Sequence, residues 1–147
     1  MNPTMLEIMP LAAKNYCCSQ ILMLLALQAQ GVENWELVRA TSGVCHGMGA
    51  SGQTCGILTG GCLVLGLYVG RGREEELPND RADLIVTEYV DWFTERVTPE
   101  YGGITCQAIL GDGKPDVTRC GGLLADAWTQ LLTILTEAGI DPSQPRD

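Results

Sequence analysis

The stretch Gln53-Thr54-Cys55-Gly56-Ile57-Leu58-Thr59-Gly60-Gly61-Cys62-Leu63-Val64-Leu65-Gly66-Leu67-Tyr68 carries no charged side chain and holds four glycines. A segment that is apolar all round belongs inside a fold, and small residues within it let neighbouring helices approach closely. We read it as the buried central helix of a helical bundle. Before it, Gly43 to Gly52 is too dense in glycine to be anything but a loop. After it, Gly70 to Asn79 mixes charges with Pro78 and Asn79 and reads as a surface connection.

Helical signals continue outward in both directions. Pro10 to Gln30 favours helix, with an adjustment around Asn15 to Cys18 and a stop at Gly31. Asn34 is placed to cap a short helix, Trp35 to Thr41, ended by Gly43. Asp80 is expected to cap a helix reaching about Val97, because Leu84, Ile85, Tyr89, Trp92, Phe93 and Val97 recur at helical spacing before Thr98 and Pro99. A short helix from Ile104 to Leu110 stops at Gly111. A polar loop, Asp112 to Asp116, then leads through Thr118 into a last helix that ends before Gly139. No alternating run of strand length and no internal repeat is present. The expectation is all-α: a compact single-domain bundle over residues 1–147, of about five to seven helices, with residues 140–147 frayed.

Composition narrows the function. With 46% hydrophobic residues among 147, one domain can fill a core. A net charge of -9 repels phosphate backbones and anionic bilayers, so neither nucleic acid nor membrane is an expected partner. The apolar run Ile21 to Leu27 is too short to span a bilayer. The single histidine, His46, excludes sites built on several imidazoles. Met1 to Asn15 lacks a basic region, and Glu7, Pro10 and Lys14 break its apolar residues, so no secretory leader is expected. Seven cysteines cannot all pair within one chain. Together these points predict a reducing cytoplasm, with thiols free, metal-bound or redox-switching.

Four of those cysteines share a position type. Cys18 follows the expected break, Cys55 follows the glycine loop, Cys106 follows Gly102-Gly103, and Cys120 follows Thr118. Each falls in or near the first turn of a predicted helix, where unpaired amides and the positive dipole end favour a thiolate over a thiol. The thiolate is the form that ligates metals and attacks disulfides.

The order and context of these residues resemble the family of redox-active proteins named for a C, GCAxxG, C, C pattern. The matching pieces are Tyr16-Cys17-Cys18-Ser19-Gln20 before an apolar helix, Gly47-Met48-Gly49 followed by Thr54-Cys55-Gly56-Ile57-Leu58-Thr59-Gly60, then Thr105-Cys106-Gln107-Ala108-Ile109-Leu110-Gly111, then Cys120 opening the last helix. The resemblance runs from about Leu11 to Glu137. Its most specific piece is the glycine loop with the Cys55 helix. The same domain is similar to the non-haem part of split-Soret cytochromes, which carries an iron-sulfur centre. The resemblance implies a helical fold, redox or iron-sulfur chemistry, and a dimer. The chain departs from the pattern at Cys17, where an Asn is usual, at Cys45-His46, where glycines are usual, and at Cys62, where a small apolar residue is usual.

Four thiolates suit a [2Fe-2S] or [4Fe-4S] cluster, and equally a zinc or cuprous ion. Close C-x-x-C pairs are absent, so the ligands have to converge from separate helices. Glycines around Cys55 would give backbone amides access to cluster sulfurs, which favours a cluster over zinc. Cys17, Cys45, His46 and Cys62 are the candidates for a larger site or for a second thiol pair beside the first. Cys62 shares a helix face with Cys55, seven residues earlier, and helix packing explains it equally well. Metal-free thiol-disulfide chemistry at Cys17, Cys18 and Cys55, and a structural zinc module, are the competing functions. A redox partner protein is expected for the first reading. Gly47 to Gly52 matches G-x-G-x-x-G without a preceding strand, so a dinucleotide fold is not expected. Ser42 to His46 resembles a haem attachment sequence lacking its first cysteine. Glu74 to Glu76 reads as a solvated connection. Apolar surface at Trp35, Trp92 and Trp128 predicts a homodimer, the commonest closed assembly.

Overall fold

A computed structural model describes residues 3–111 and 117–146. Among the described residues the architecture is all-α, with a single isolated bridge between Thr54 and Thr105 in place of any strand. The helices are α1 (Pro3–Ala13), α2 (Cys18–Gln30), α3 (Trp35–Thr41), α4 (Gly56–Val69), α5 (Ala82–Tyr101), α6 (Cys106–Leu110) and α7 (Val117–Glu137). A short 3-10 turn, Ser42–Val44, follows α3.

The central helix is α4, packed against α2, α5 and α7. Two of its glycines are required by contact. A Cβ on Gly60 would lie 2.6 Å from Ser19 Cα on α2. One on Gly61 would collide with the Cε2, Cζ and hydroxyl oxygen of Tyr89 on α5. The glycine pair therefore lets two helices seat against one side of α4 each, closer than any side chain would permit. α2 is buried from Ile21 through Leu27, and Gly31 ends it in the left-handed conformation at φ 69°. On α5 the stripe Ile85, Tyr89, Phe93 and Val97 turns inward at every fourth residue. Tyr89 and Phe93 are fully buried, each contributing roughly 1.5–3 kcal/mol of apolar transfer. α7 closes the core with Leu124, Trp128, Leu131 and Leu135.

Several local expectations are corrected. The expected break before Cys18 is sharp and separates two helices: Asn15 takes φ 69°, and α1 and α2 are bent by 118° across the junction. The first helix begins at Pro3, not Pro10, and carries Pro10 inside it on an exposed face. α5 is preceded by Asn79 rather than capped by Asp80, the Asn79 side chain accepting from the Arg81 amide at 2.9 Å. Nor does α5 stop at Pro99. It runs on to Tyr101, where Gly102 (φ 83°) donates to the Thr98 carbonyl. Asn34 caps α3 as read from the sequence, accepting from Leu37 N at 3.1 Å.

The segment beyond Ile140, expected to fray, lies back on the molecule. Tyr68 donates to the Pro142 carbonyl at 2.7 Å, and Arg146 bonds the carbonyls of Gly70 and Leu77. Of the three tryptophans, Trp128 is in the core and Trp92 stacks on Tyr89 with centroids 5.9 Å apart, which leaves Trp35 as the exposed one. The expected loop Asp112 to Asp116 lies outside the described residues. Among those described, no single helix is long and apolar enough to cross a membrane.

Candidate functional site

Each of the four predicted cysteines stands where its helix begins. Cys18 is the first residue of α2, restarted after the Asn15 break by an extended Cys17. The Gln20 side chain reaches back to the Cys17 amide at 3.4 Å and passes its own NH2 to the Val38 carbonyl at 3.2 Å, tying this start to α3. Cys55 is the residue just before α4, Cys106 opens α6, and Cys120 sits in the first turn of α7. Thr105 caps α6 by accepting from Ala108 N at 3.0 Å.

Main-chain bonds bring two of the cysteines together. Cys55 N donates to the Ile104 carbonyl at 2.9 Å, and Cys106 N donates to the Gln53 carbonyl at 2.6 Å, on either side of the Thr54–Thr105 bridge. The third joins through the close approach of α2 to α4, since Ser19, beside Cys18, lies against Gly56 and Gly60 just after Cys55. Cys120 completes the group by a side-chain hydrogen bond with Cys18. All four thiols are near enough to act on one another electrostatically.

That grouping reverses an expectation. Helix N-termini were read as favouring thiolates, and the amides of Ile57 and Leu58 do pull the Cys55 thiol down. Burial outweighs them, and the Cys55 thiol is pushed up to about 11. Cys18 is raised well above its ordinary value by its bond with Cys120, then by burial, then by repulsion from the other three. Burial and Cys120 raise Cys106 as well. All three shifts favour the thiol over the thiolate.

The donor type fits a thiophilic metal or an iron-sulfur cluster, for which soft sulfur ligands are the preferred set. A single-ion geometry is not preformed: among the described residues no three His, Cys, Asp or Glu side chains are grouped to hold a metal ion. The thiols share a locality without being drawn onto one point.

The four extra residues separate. Cys17 and Cys45 form a disulfide, with Cα atoms 5.9 Å apart. His46 is exposed, on a left-handed turn. Cys62 is half-buried two turns along α4, its thiol raised by burial and acting on Tyr89 rather than on the other cysteines. Its shared face with Cys55 does not bring it to the group. Sequence reasoning missed Ser19, fully buried, whose hydroxyl lies 3.1 Å from Cys17 Sγ and 3.4 Å from Cys45 Sγ and bonds the Thr41 carbonyl at 3.2 Å. The available signal was a serine directly after two cysteines, at the entry to the apolar run Ile21 to Leu27.

A family model described as "Putative redox-active protein (C_GCAxxG_C_C)" matches residues 16–134, from Tyr16 through the last core turn of α7. The chain belongs to this family. No curated protein and no solved structure matches it. The matched span takes in all four cysteines of the C_GCAxxG_C_C group and the Cys17–Cys45 disulfide, so the redox-active character of the family falls on a cysteine-rich core of this chain.

Proposed function

We propose that this protein is a redox or electron-transfer protein that binds an iron-sulfur cluster through Cys18, Cys55, Cys106 and Cys120. One observation supports the reading above the rest: cysteines from four separate helix starts gather in one partly buried locality, Cys55 and Cys106 tied across the Thr54–Thr105 bridge and Cys120 hydrogen-bonded to Cys18. Burial and neighbouring thiols disfavour the thiolate at Cys18, Cys55 and Cys106, and exchange requires the thiolate; deprotonating several of them together would also set like charges against one another. A cationic metal core offsets that repulsion and makes the same arrangement favourable. When bound, such a cluster supplies one-electron transfer at a potential set by burial and by hydrogen bonds to sulfur.

The chain's own residues provide those settings. The Ile57 and Leu58 amides face the Cys55 sulfur, and the Thr105 cap and the bonds that the Cys106 and Cys55 amides donate to the Gln53 and Ile104 carbonyls hold the two cysteines in register. In assembly we propose a homodimer with a redox protein as its partner. The exposed Leu6 and Met9, one turn apart on α1, supply apolar surface for such contacts. A reducing cytoplasm remains the proposed location.

Anaerobic purification tests the function. Broad visible absorption together with acid-labile sulfide is the expected result. Colourless protein containing zinc would establish the structural-metal reading, and colourless protein with titratable thiols and no metal would establish thiol-disulfide chemistry instead.

A further inference from the structure

We propose that Cys17 and Cys45 are a reversible dithiol/disulfide couple, a second redox centre that exchanges two electrons with a protein or small-molecule dithiol, separate from the four-cysteine site. The proposal holds whatever the other cysteines bind. The pair joins elements 28 residues apart: Cys17 immediately precedes α2, and Cys45 opens the glycine loop. Both positions lie in segments that have to move little for the bridge to open, since each ends a helix or turn rather than sitting inside one.

Access and leaving group are asymmetric. Cys17 is half-buried, whereas Cys45 is 9% exposed, so an incoming thiolate reaches Cys17 Sγ first. The incoming sulfur bonds to Cys17, the Cys17–Cys45 bond breaks, and its electron pair leaves on Cys45 as thiolate. The buried Ser19 hydroxyl, 3.4 Å from that sulfur, is placed to turn from the Thr41 carbonyl and donate to it. A proton from solvent completes the Cys45 thiol. The reductant's second thiol then displaces Cys17, which also leaves as a thiol. The reductant becomes a disulfide, and the protein gains two electrons and two protons.

The backbone beyond Cys45 supplies a reason for the couple to be reversible. His46, Gly47, Met48, Gly49 and Ala50 all have positive φ, between 56° and 83°, and three of these five carry side chains that disfavour it. The bridge anchors one end of this left-handed turn, and internal bonds such as Gly49 N to the Cys45 carbonyl and Gln53 N to the Gly47 carbonyl hold the rest. Opening the bridge lets the turn relax. Its far end bears on the other cysteines, because the Gly52 and Gln53 carbonyls accept from Gln107 N and Cys106 N.

Full-length protein equilibrated with oxidised and reduced dithiothreitol in graded ratios, acid-quenched, alkylated and peptide-mapped, tests the couple. Cys17 and Cys45 should be protected without reductant and become labelled together on one two-electron curve, with far-ultraviolet circular dichroism unchanged throughout. In Cys45→Ser, Cys17 should be labelled without reductant. Ser19→Ala should slow reduction of the pair roughly tenfold, the loss of one charge-assisted hydrogen bond. Labelling of Cys17 in unreduced wild type, pairing of Cys17 with Cys18 or Cys55, or release of the pair only as helix content is lost would each overturn the proposal.

Discussion

Gly60 and Ser19 occupy positions that exclude a methyl group between them: a Cβ on Gly60 would stand 2.6 Å from Ser19 Cα and 2.7 Å from its Cβ. The obstructing atoms include backbone, which cannot rotate away. This contact sets the spacing of α2 and α4, and with it the distance between Cys18 and Cys55. Gly60→Ala should therefore destabilise the chain by about 2 kcal/mol or more in urea unfolding. Gly66→Ala on the same helix meets nothing within 4 Å and should stabilise it by roughly 0.5–1 kcal/mol. Equal effects at the two sites would contradict the packing described.

Tyr89 gives a pH-dependent counterpart. Its hydroxyl, fully buried, donates to the Ile57 carbonyl at 2.6 Å, and burial, then Cys62 and Cys55, raise it well above the ordinary phenol value of 10.0. Above that value the unfolded chain releases the phenolic proton while the folded chain keeps it, so the unfolded state binds fewer protons and stability falls as pH rises. Tyr89→Phe should cost about 1 kcal/mol at neutral pH, and the gap to wild type should narrow above pH 10. Chemical denaturation at pH 7 and in steps above pH 10 checks both. A gap that widened with pH would reverse the assignment.

Much of this fold was legible because its signals were local. Asn34 and Gly31 mark helix ends by their own chemistry, and the uncharged, glycine-rich stretch around Gly60 could only be internal. What escaped was decided at a distance or by a small cost. Asn15 adopts the left-handed conformation that asparagine tolerates better than most residues, yet it gives no sequence mark as strong as glycine would. Pro99 removes only its own amide donor in the last turn of α5, so the helix continues to Gly102. The grouping of Cys18, Cys55, Cys106 and Cys120 was suggested by their shared helix starts. The upward shift of the Cys18, Cys55 and Cys106 thiols was not legible, because the balance of burial against amides depends on packing that spacing does not encode. The pairing of Cys17 with Cys45 depends on how the glycine loop folds back on α2.

Assembly can be measured without reference to cofactor. Light scattering on the full chain should return twice the monomer mass of 15.8 kDa. Replacing the exposed Leu6 and Met9 by Ser should shift the population toward monomer without changing helix content, if the α1 surface carries the contact. A wild-type monomer across the working concentration range would remove the dimer from consideration.

Cys62 provides an internal control for the candidate site, being a half-buried thiol on the same helix that acts on Tyr89 and not on the four. Cys62→Ser should leave metal content and spectra unchanged. It should affect stability only modestly, through packing against the core.

The most direct measurement is iron and acid-labile sulfide per chain in anaerobically prepared wild type and in Cys18→Ser, Cys55→Ser, Cys106→Ser and Cys120→Ser, each checked for retained helix content. A hard oxygen donor replaces thiolate poorly at such a site, so iron and sulfide should be present in wild type and should fall in all four variants. Wild-type protein without iron and sulfide, or folded variants whose content equals that of wild type, would contradict a cluster held by these cysteines.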